Sequence, residues 1–215
     1  MGRSGSMLPM NSSLSVRKLA ALIVILLGLS APVLAHFPIP PKKTDMGRKA
    51  KQAPAPDFAL IDQNGRPFRF GNTRGKLVVA TFIFTTCPDV CPLLTAKFAA
   101  IQRALREKKM DDYLLLSITT DPERDTPAAM KDYAERYKAD FGHWFFLTGS
   151  KNDLAKVWKG FGVTVRETAD GQIQHTALTT LIDRAGIRRV DYYTDKWDEK
   201  EILRDIASLD APKRR

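Results

Sequence analysis

Two cysteines, separated by three residues in Thr85-Thr86-Cys87-Pro88-Asp89-Val90-Cys91-Pro92, are the only two in a chain of 215. A thiolate is both a nucleophile and a metal ligand, so the pair offers redox chemistry, metal binding, or both. A purely structural disulfide here would close a loop of about five residues and return roughly 2 kcal/mol, against about 4.7 for a loop of a hundred. Stability is therefore a poor reason for the pair. Dithiol oxidoreductases of the thioredoxin type use C-x-x-C, whereas this chain inserts one more residue, which gives the two sulfurs freedom to splay around an ion. Two thiolates and an imidazole suit copper, Cu(I) above all, because soft donors favour a soft ion of low coordination number. Zinc accepts the same donors but wants a fourth. The pair alone does not choose between electrons and metal.

The imidazoles are His36, His143 and His175. His36 becomes a terminal chelator only if the chain is cut after Ala35, and is otherwise a solvated residue. His143, in Phe141-Gly142-His143-Trp144, reads as a surface residue at the start of a strand. His175 lies just before the apolar run Ala177 to Ile182 and reads equally as a loop histidine or a ligand. Met46, Met110 and Met130 are scattered and form no methionine track.

The elements that must hold these groups alternate along the body. Phe58 to Asp62 and Pro67 to Phe70 flank Asn64-Gly65, a two-residue hairpin turn signal. Leu77 to Phe84 is a continuous apolar run, suited to a strand buried on both faces. Leu94, Phe98, Ile101 and Leu105 recur at helical spacing between Leu93 and Lys109. Tyr113 to Thr119 is a second buried strand, and Asp125-Thr126-Pro127 opens a helix with proline at its first position. Trp144 to Leu147, Ala177 to Asp183 and Arg188 to Tyr193 read as strands, and Asp153 to Phe161 and Glu199 to Leu209 as helices. Strands separated by helices imply crossover connections and an α/β class, with an antiparallel end. A mixed central sheet flanked by helices, with a helix leaving the tip of the first central strand and a β-hairpin at the N-terminal side, is the layout of a thioredoxin-like fold. Sites in open α/β sheets gather at the carboxyl ends of strands, where both cysteines fall. With Pro92 at the first helical position, Cys91 caps the helix, and the helix amino end is expected to lower the thiol pKa.

The chain carries a formal charge of +10, but residues 57–215 hold 26 Lys and Arg against 23 Asp and Glu. Most of the excess lies in the first 56 residues, so the body lacks the electrostatic footprint of a nucleic-acid binder. Arg17-Lys18, the apolar run Leu19 to Leu29, and Val33-Leu34-Ala35 follow the order of an export signal. A spanning helix needs ~20 apolar residues and this run reaches that length only by counting Gly28, Ser30 and Pro32, so cleavage and anchoring both stay open. Either outcome places the body in the periplasm or another extracytoplasmic space. Residues 36–56 are rich in Pro and Lys, lack an apolar period, and read as a semi-rigid basic spacer suited to holding the body away from an anionic membrane surface. The expected organisation is a leader or anchor over 1–35, a linker over 36–56 and one domain over 57–215.

Phe84-Thr85-Thr86-Cys87-Pro88-Asp89-Val90-Cys91-Pro92, then Asp121-Pro122-Glu123-Arg124-Asp125-Thr126-Pro127 and a histidine ahead of a late strand, together resemble the Sco/SenC family over Pro56 to Leu209. The resemblance implies an exported or membrane-tethered thioredoxin-like protein that binds one copper ion through Cys87, Cys91 and His175. It also implies a role in assembling the copper centre of cytochrome c oxidase, whose copper-bearing subunit would be the partner, and dependence on an extracytoplasmic thiol reductant. One departure is visible: the family histidine usually follows Asp and precedes Ser, whereas Gln174 and Thr176 flank His175, which changes what orients the imidazole. Asp89 and Asp121 match the family motifs, Asp89 reading equally as a turn former. The competing expectation is a thiol-disulfide oxidoreductase, or a thiol peroxidase, in which both cysteines are essential and His175 is dispensable.

Overall fold

The computed structural model describes residues 1, 2 and 47–211. The expected leader beyond Gly2, His36, Met46, the first part of the spacer and the terminal Lys213, Arg214 and Arg215 lie outside them. The chain divides into two units at Ala35 and His36, and everything below belongs to the second.

The centre is a six-stranded mixed sheet in the order β1 (Gly47–Pro54), β10 (Ile187–Tyr193), β9 (Leu178–Ile182), β4 (Leu77–Ile83), β5 (Tyr113–Thr119), β6 (Trp144–Leu147). Strands β4, β5 and β6 run parallel. Strand β9 is antiparallel to β4, and β10 is antiparallel to β9. All seven residues of β4 and all seven of β5 are buried, as their unbroken apolar runs require of strands covered on both faces.

Alternate side chains of these strands feed two separate cores. Leu77, Val79 and Ile83 pack with Leu94, Phe98 and Ile101 of helix α1 (Val90–Glu107). The same core takes Met130 and Tyr133 of α2 (Pro127–Arg136) and Ile202 and Ile206 of α4 (Glu199–Asp210). On the opposite face, Val78, Ala80 and Phe82 meet Leu154, Val157 and Phe161 of α3 (Lys151–Phe161). That core is closed by Leu60 of β2 (Ala59–Ile61) and Phe68 of β3 (Pro67–Arg69), an antiparallel hairpin. Its turn is not the two-residue kind expected from Asn64-Gly65. Gly65 alone takes a positive φ, 75°, while the Asp62 carboxylate accepts the N–H groups of Asn64 and Arg66, both at 2.8 Å.

Three strands escape the apolar pattern. β1 (Gly47–Pro54) lies inside the stretch expected to be a spacer, and pairs antiparallel with β10. Its sequence, Gly-Arg-Lys-Ala-Lys-Gln-Ala-Pro, buries no side chain fully, so main-chain hydrogen bonds hold it at the sheet edge, where Lys and Pro discourage further pairing. Arg48 adds a two-pronged clasp to Asp205 of α4, Nε to Oδ2 at 2.8 Å and Nη2 to Oδ1 at 2.7 Å. The other two, β7 (Val165–Glu167) and β8 (Ile173–His175), form a small antiparallel sheet of their own.

Candidate metal centre

β4 ends at Ile83 and α1 begins at Val90, so Phe84 to Asp89 form the loop that delivers the cysteines to the carboxyl end of the parallel strands. Asp89 is the cap, without a side-chain capping bond, and Cys91 and Pro92 occupy the second and third helical positions. Pro92 was expected at the first helical position, with Cys91 as the cap, and the helix instead starts two residues earlier. At the third position its missing N–H is still no loss, because the first four helical N–H groups have no carbonyl partner within the helix.

Cys87 is 7% exposed and Cys91 1%, and no disulfide joins them. The thiols interact with each other, and burial followed by the neighbouring Cys87 pushes the Cys91 thiol well above its ordinary value. This reverses the expected lowering by the helix end. Removing the sulfur from water penalises the charged form more than the partial charge of a few N–H groups rewards it. Burial thus favours the neutral thiol over the thiolate at Cys91.

His175 arrives from the other direction. Because β9 runs antiparallel to β4, with Thr81 opposite Thr179, the start of β9 lies beside the end of β4. The residue just upstream of β9 is thereby brought to the cysteine loop. The imidazole is 5% exposed, stands edge-on to Phe84 with ring centroids 5.9 Å apart, and places Nε2 4.0 Å from Cys91 Sγ. Nδ1 lies 3.1 Å from the carbonyl oxygen of Thr176. A carbonyl only accepts, so Nδ1 carries the proton and Nε2 presents a lone pair towards the sulfur. The backbone thus supplies the orientation that a carboxylate before the histidine would otherwise give, which answers the departure at Gln174 and Thr176.

The remaining candidates go elsewhere. His143 stacks on Tyr113 at 4.8 Å and lies 3.4 Å from Asp140, at the amino end of the parallel strands and the opposite end of the sheet from Cys87. Asp89 is exposed at the helix cap. Asp121 is buried and bonds Arg124 at 2.7 Å. Among the described residues, no group of three or more His, Cys, Asp and Glu side chains is already gathered at metal-holding distance. Of the expected donors, His175 and Cys91 approach each other, and the Cys87 thiol interacts with that of Cys91.

Composition did not single out Asp125, which organises the loop. It is fully buried, and its carboxylate accepts Thr85 Oγ1 at 2.6 Å, Thr85 N at 3.1 Å and Thr119 Oγ1 at 2.5 Å. Burial raises its pKa against the pull of those same bonds. The signal was the second motif, Asp121 to Pro127, which follows β5 just as the cysteine motif follows β4. Parallel neighbours put the two loops side by side.

The profile of the SCO1/SenC family matches residues 46–210. The chain belongs to that family. An SCO2-like protein of Rickettsia prowazekii is 33% identical over 199 residues, covering 88% of this chain and 95% of the relative. Bradyrhizobium japonicum ScoI, solved with copper bound, superposes with a TM-score of 0.63 at 35% identity, covering 73% of this chain and 99% of that one. BsSco, in which a disulfide switch was identified and which is described as a member of the Sco family of cytochrome c oxidase assembly proteins, gives a TM-score of 0.66. It is 27% identical and covers 75% of this chain and 95% of that one. The family's thioredoxin-like fold is the one described above.

Proposed function

We propose that this chain is a metallochaperone that takes one copper ion on Cys87, Cys91 and His175 and delivers it to the copper-bearing subunit of cytochrome c oxidase or another acceptor. The observation that carries this is the approach of His175 Nε2 to 4.0 Å from Cys91 Sγ, with Nδ1 held by Thr176. The copper carried by the Bradyrhizobium relative, and the assembly role stated for the family of BsSco, support the same reading. Taking up copper displaces the protons of the thiols, and the ion leaves by exchange of these donors for those of the acceptor at the exposed loop of Thr86, Pro88 and Asp89.

The leader pattern places this work outside the inner membrane, beside the membrane surface. Among the described residues no helix is long and apolar enough to cross a membrane. In such a compartment oxidation of Cys87 and Cys91 removes two donors, so loading depends on a thiol reductant.

The mutual contact of the two thiols favours a second activity, thiol-disulfide exchange with a partner, and the disulfide switch identified in BsSco supports it. Closing the Cys87–Cys91 bond would give two electrons and two protons to the partner's disulfide and leave the partner as a dithiol ready for metal.

A copper titration of the reduced chain followed by absorption decides between them. One equivalent binds in the wild type, and Cys87→Ser and His175→Ala each weaken uptake severely. Wild-type binding in both variants removes the metal reading. Turnover with a disulfide substrate that survives His175→Ala favours the second.

A further inference from the structure

The hairpin that carries His175 stands apart from the six-stranded sheet. At its base Thr176 N donates to Thr164 O at 3.0 Å, and Thr164 N to Thr176 Oγ1 at 3.2 Å. At its far end Thr168 N bonds Gln172 O at 2.8 Å around Gly171, whose φ of 76° an L side chain rarely adopts. Between Val165, Glu167 and Ile173 of the hairpin and Thr120, Asp121 and Trp158 of the body lies a cavity of about 110 Å³. Ile173 packs into the helical core and Val165 against it, but the tip beyond them, Thr168 to Gln172, adds no residue to either core, so apolar packing does not by itself fix how far the tip stands from the body.

One side chain spans that gap. Arg124 donates through Nη1 to Asp121 Oδ2 at 2.7 Å and through Nη2 to the carbonyl oxygen of Gly171 at 3.2 Å. Its first anchor is firm: the Asp121 side chain is 4% exposed, and its backbone N–H bonds Thr119 Oγ1 at 2.8 Å. Thr119 in turn bonds Asp125, which grips Thr85 of the cysteine loop. A continuous run of hydrogen bonds thus links the cysteine loop to the tip of the histidine hairpin. Glu123, the acid beside Arg124 in sequence, is occupied by Lys151 at 2.7 Å. The planar fork of an arginine serves two acceptors in different directions at once, which an ammonium does poorly.

We propose that Arg124 is a positioning residue that latches the His175 hairpin to the cysteine loop and so sets the approach of the imidazole to the sulfurs. This deepens the metal-site reading and rests on it, so the test has one arm without metal. The full reduced chain, Arg124→Gln and Arg124→Lys are compared by amide hydrogen exchange over residues 165–175. The glutamine variant exchanges about tenfold faster there while β4 and β5 are unchanged, and lysine restores part of the protection. In the second arm, copper titration shows affinity about tenfold weaker in Arg124→Gln, with shifted Cu(II) charge-transfer bands, and intermediate values for lysine. Unchanged exchange in both variants overturns the latch. Faster exchange with wild-type copper affinity and spectrum overturns its role in setting the imidazole. A wild type that takes up no copper defeats the metal reading instead, while the exchange arm still decides whether Arg124 holds the hairpin.

Discussion

The sulfur side and the imidazole side of the centre are built in opposite ways. Cys91 sits near the start of an 18-residue helix whose Leu94, Phe98, Ile101 and Leu105 are no more than 1% exposed, and its loop is gripped by Asp125. His175 ends a three-residue strand in a hairpin with a cavity beneath it and a single guanidinium at its tip. On the proposed function, a centre that holds and then releases an ion profits from this inequality. Fixed thiols preserve the geometry between loadings, and a donor on a lightly held arm gives the exchange step a direction in which to open.

Removing donors gives the largest effects and the sharpest form of the contrast. Changing an outer residue around a metal ligand commonly costs ten- to a hundredfold in affinity, so replacing the soft sulfur itself in Cys91→Ser is expected to cost more than about a hundredfold for Cu(I). His175→Ala costs less for Cu(I), which two thiolates can hold alone, and more for Cu(II). Competition titrations with chelators for each oxidation state measure the difference. Equal losses in both states would show that the two sides are not mechanically or chemically distinct.

Packing changes separate the sides next. Leu94→Ala, under the cysteines in the helical core, is expected to lower global unfolding stability by about 2–5 kcal/mol. Ile173→Ala removes a side chain of the same core that also borders the cavity, so its cost is expected at the low end of that range, about 2 kcal/mol, while copper affinity drops. Asp125→Ala lies between: it strands the Thr119 hydroxyl and the Thr85 N–H, costing about 1–3 kcal/mol, and loosens the cysteine loop. Urea unfolding of the metal-free variants beside their copper titrations checks all three. A global loss from Ile173→Ala as large as that from Leu94→Ala would dissolve the contrast.

The same inequality decided what could be read from the sequence. β4, β5 and α1 announce themselves because burial on two faces, or on one helical stripe, leaves a periodic record in residues such as Val78, Val79, Phe98 and Ile101. Tyr113–Thr119 and Trp144–Leu147 emerged with the expected ends for that reason. β1 left no such record, since main-chain pairing and the Arg48–Asp205 clasp hold it, and neither depends on apolar alternation. The β7–β8 hairpin is too short and polar to show a period. The cysteines were legible from spacing, but their protonation was not: the helix end was visible in Pro92, whereas burial that outweighs it appears only once Cys91 is seen inside the core. Residue type left His175 evenly divided between loop and ligand until the resemblance favoured the ligand, and the antiparallel course of β9 is the physical reason it reaches the thiols.

The smallest expected effect is the control for the comparison, because it perturbs a region remote from both sides. Asp205 is buried enough for desolvation to oppose its charge, yet the bonds from Arg48 and Tyr192 outweigh this and hold its pKa below the ordinary 3.8. A carboxylate lowered in this way adds stability that is present above its unfolded pKa and is lost as pH falls through the folded value. Arg48 is 44% exposed, so the clasp is screened by solvent and Arg48→Ala is expected to cost no more than about 1 kcal/mol at neutral pH. The gap between wild type and variant should then narrow as unfolding is repeated below the ordinary carboxylate pKa of 3.8. Copper affinity should stay at the wild-type value, since β1 and α4 share no hydrogen bond with the hairpin or the cysteine loop among the contacts described. A change in affinity here would mean that the edge strand communicates with the centre, and that the line between its fixed and adjustable parts is drawn in the wrong place.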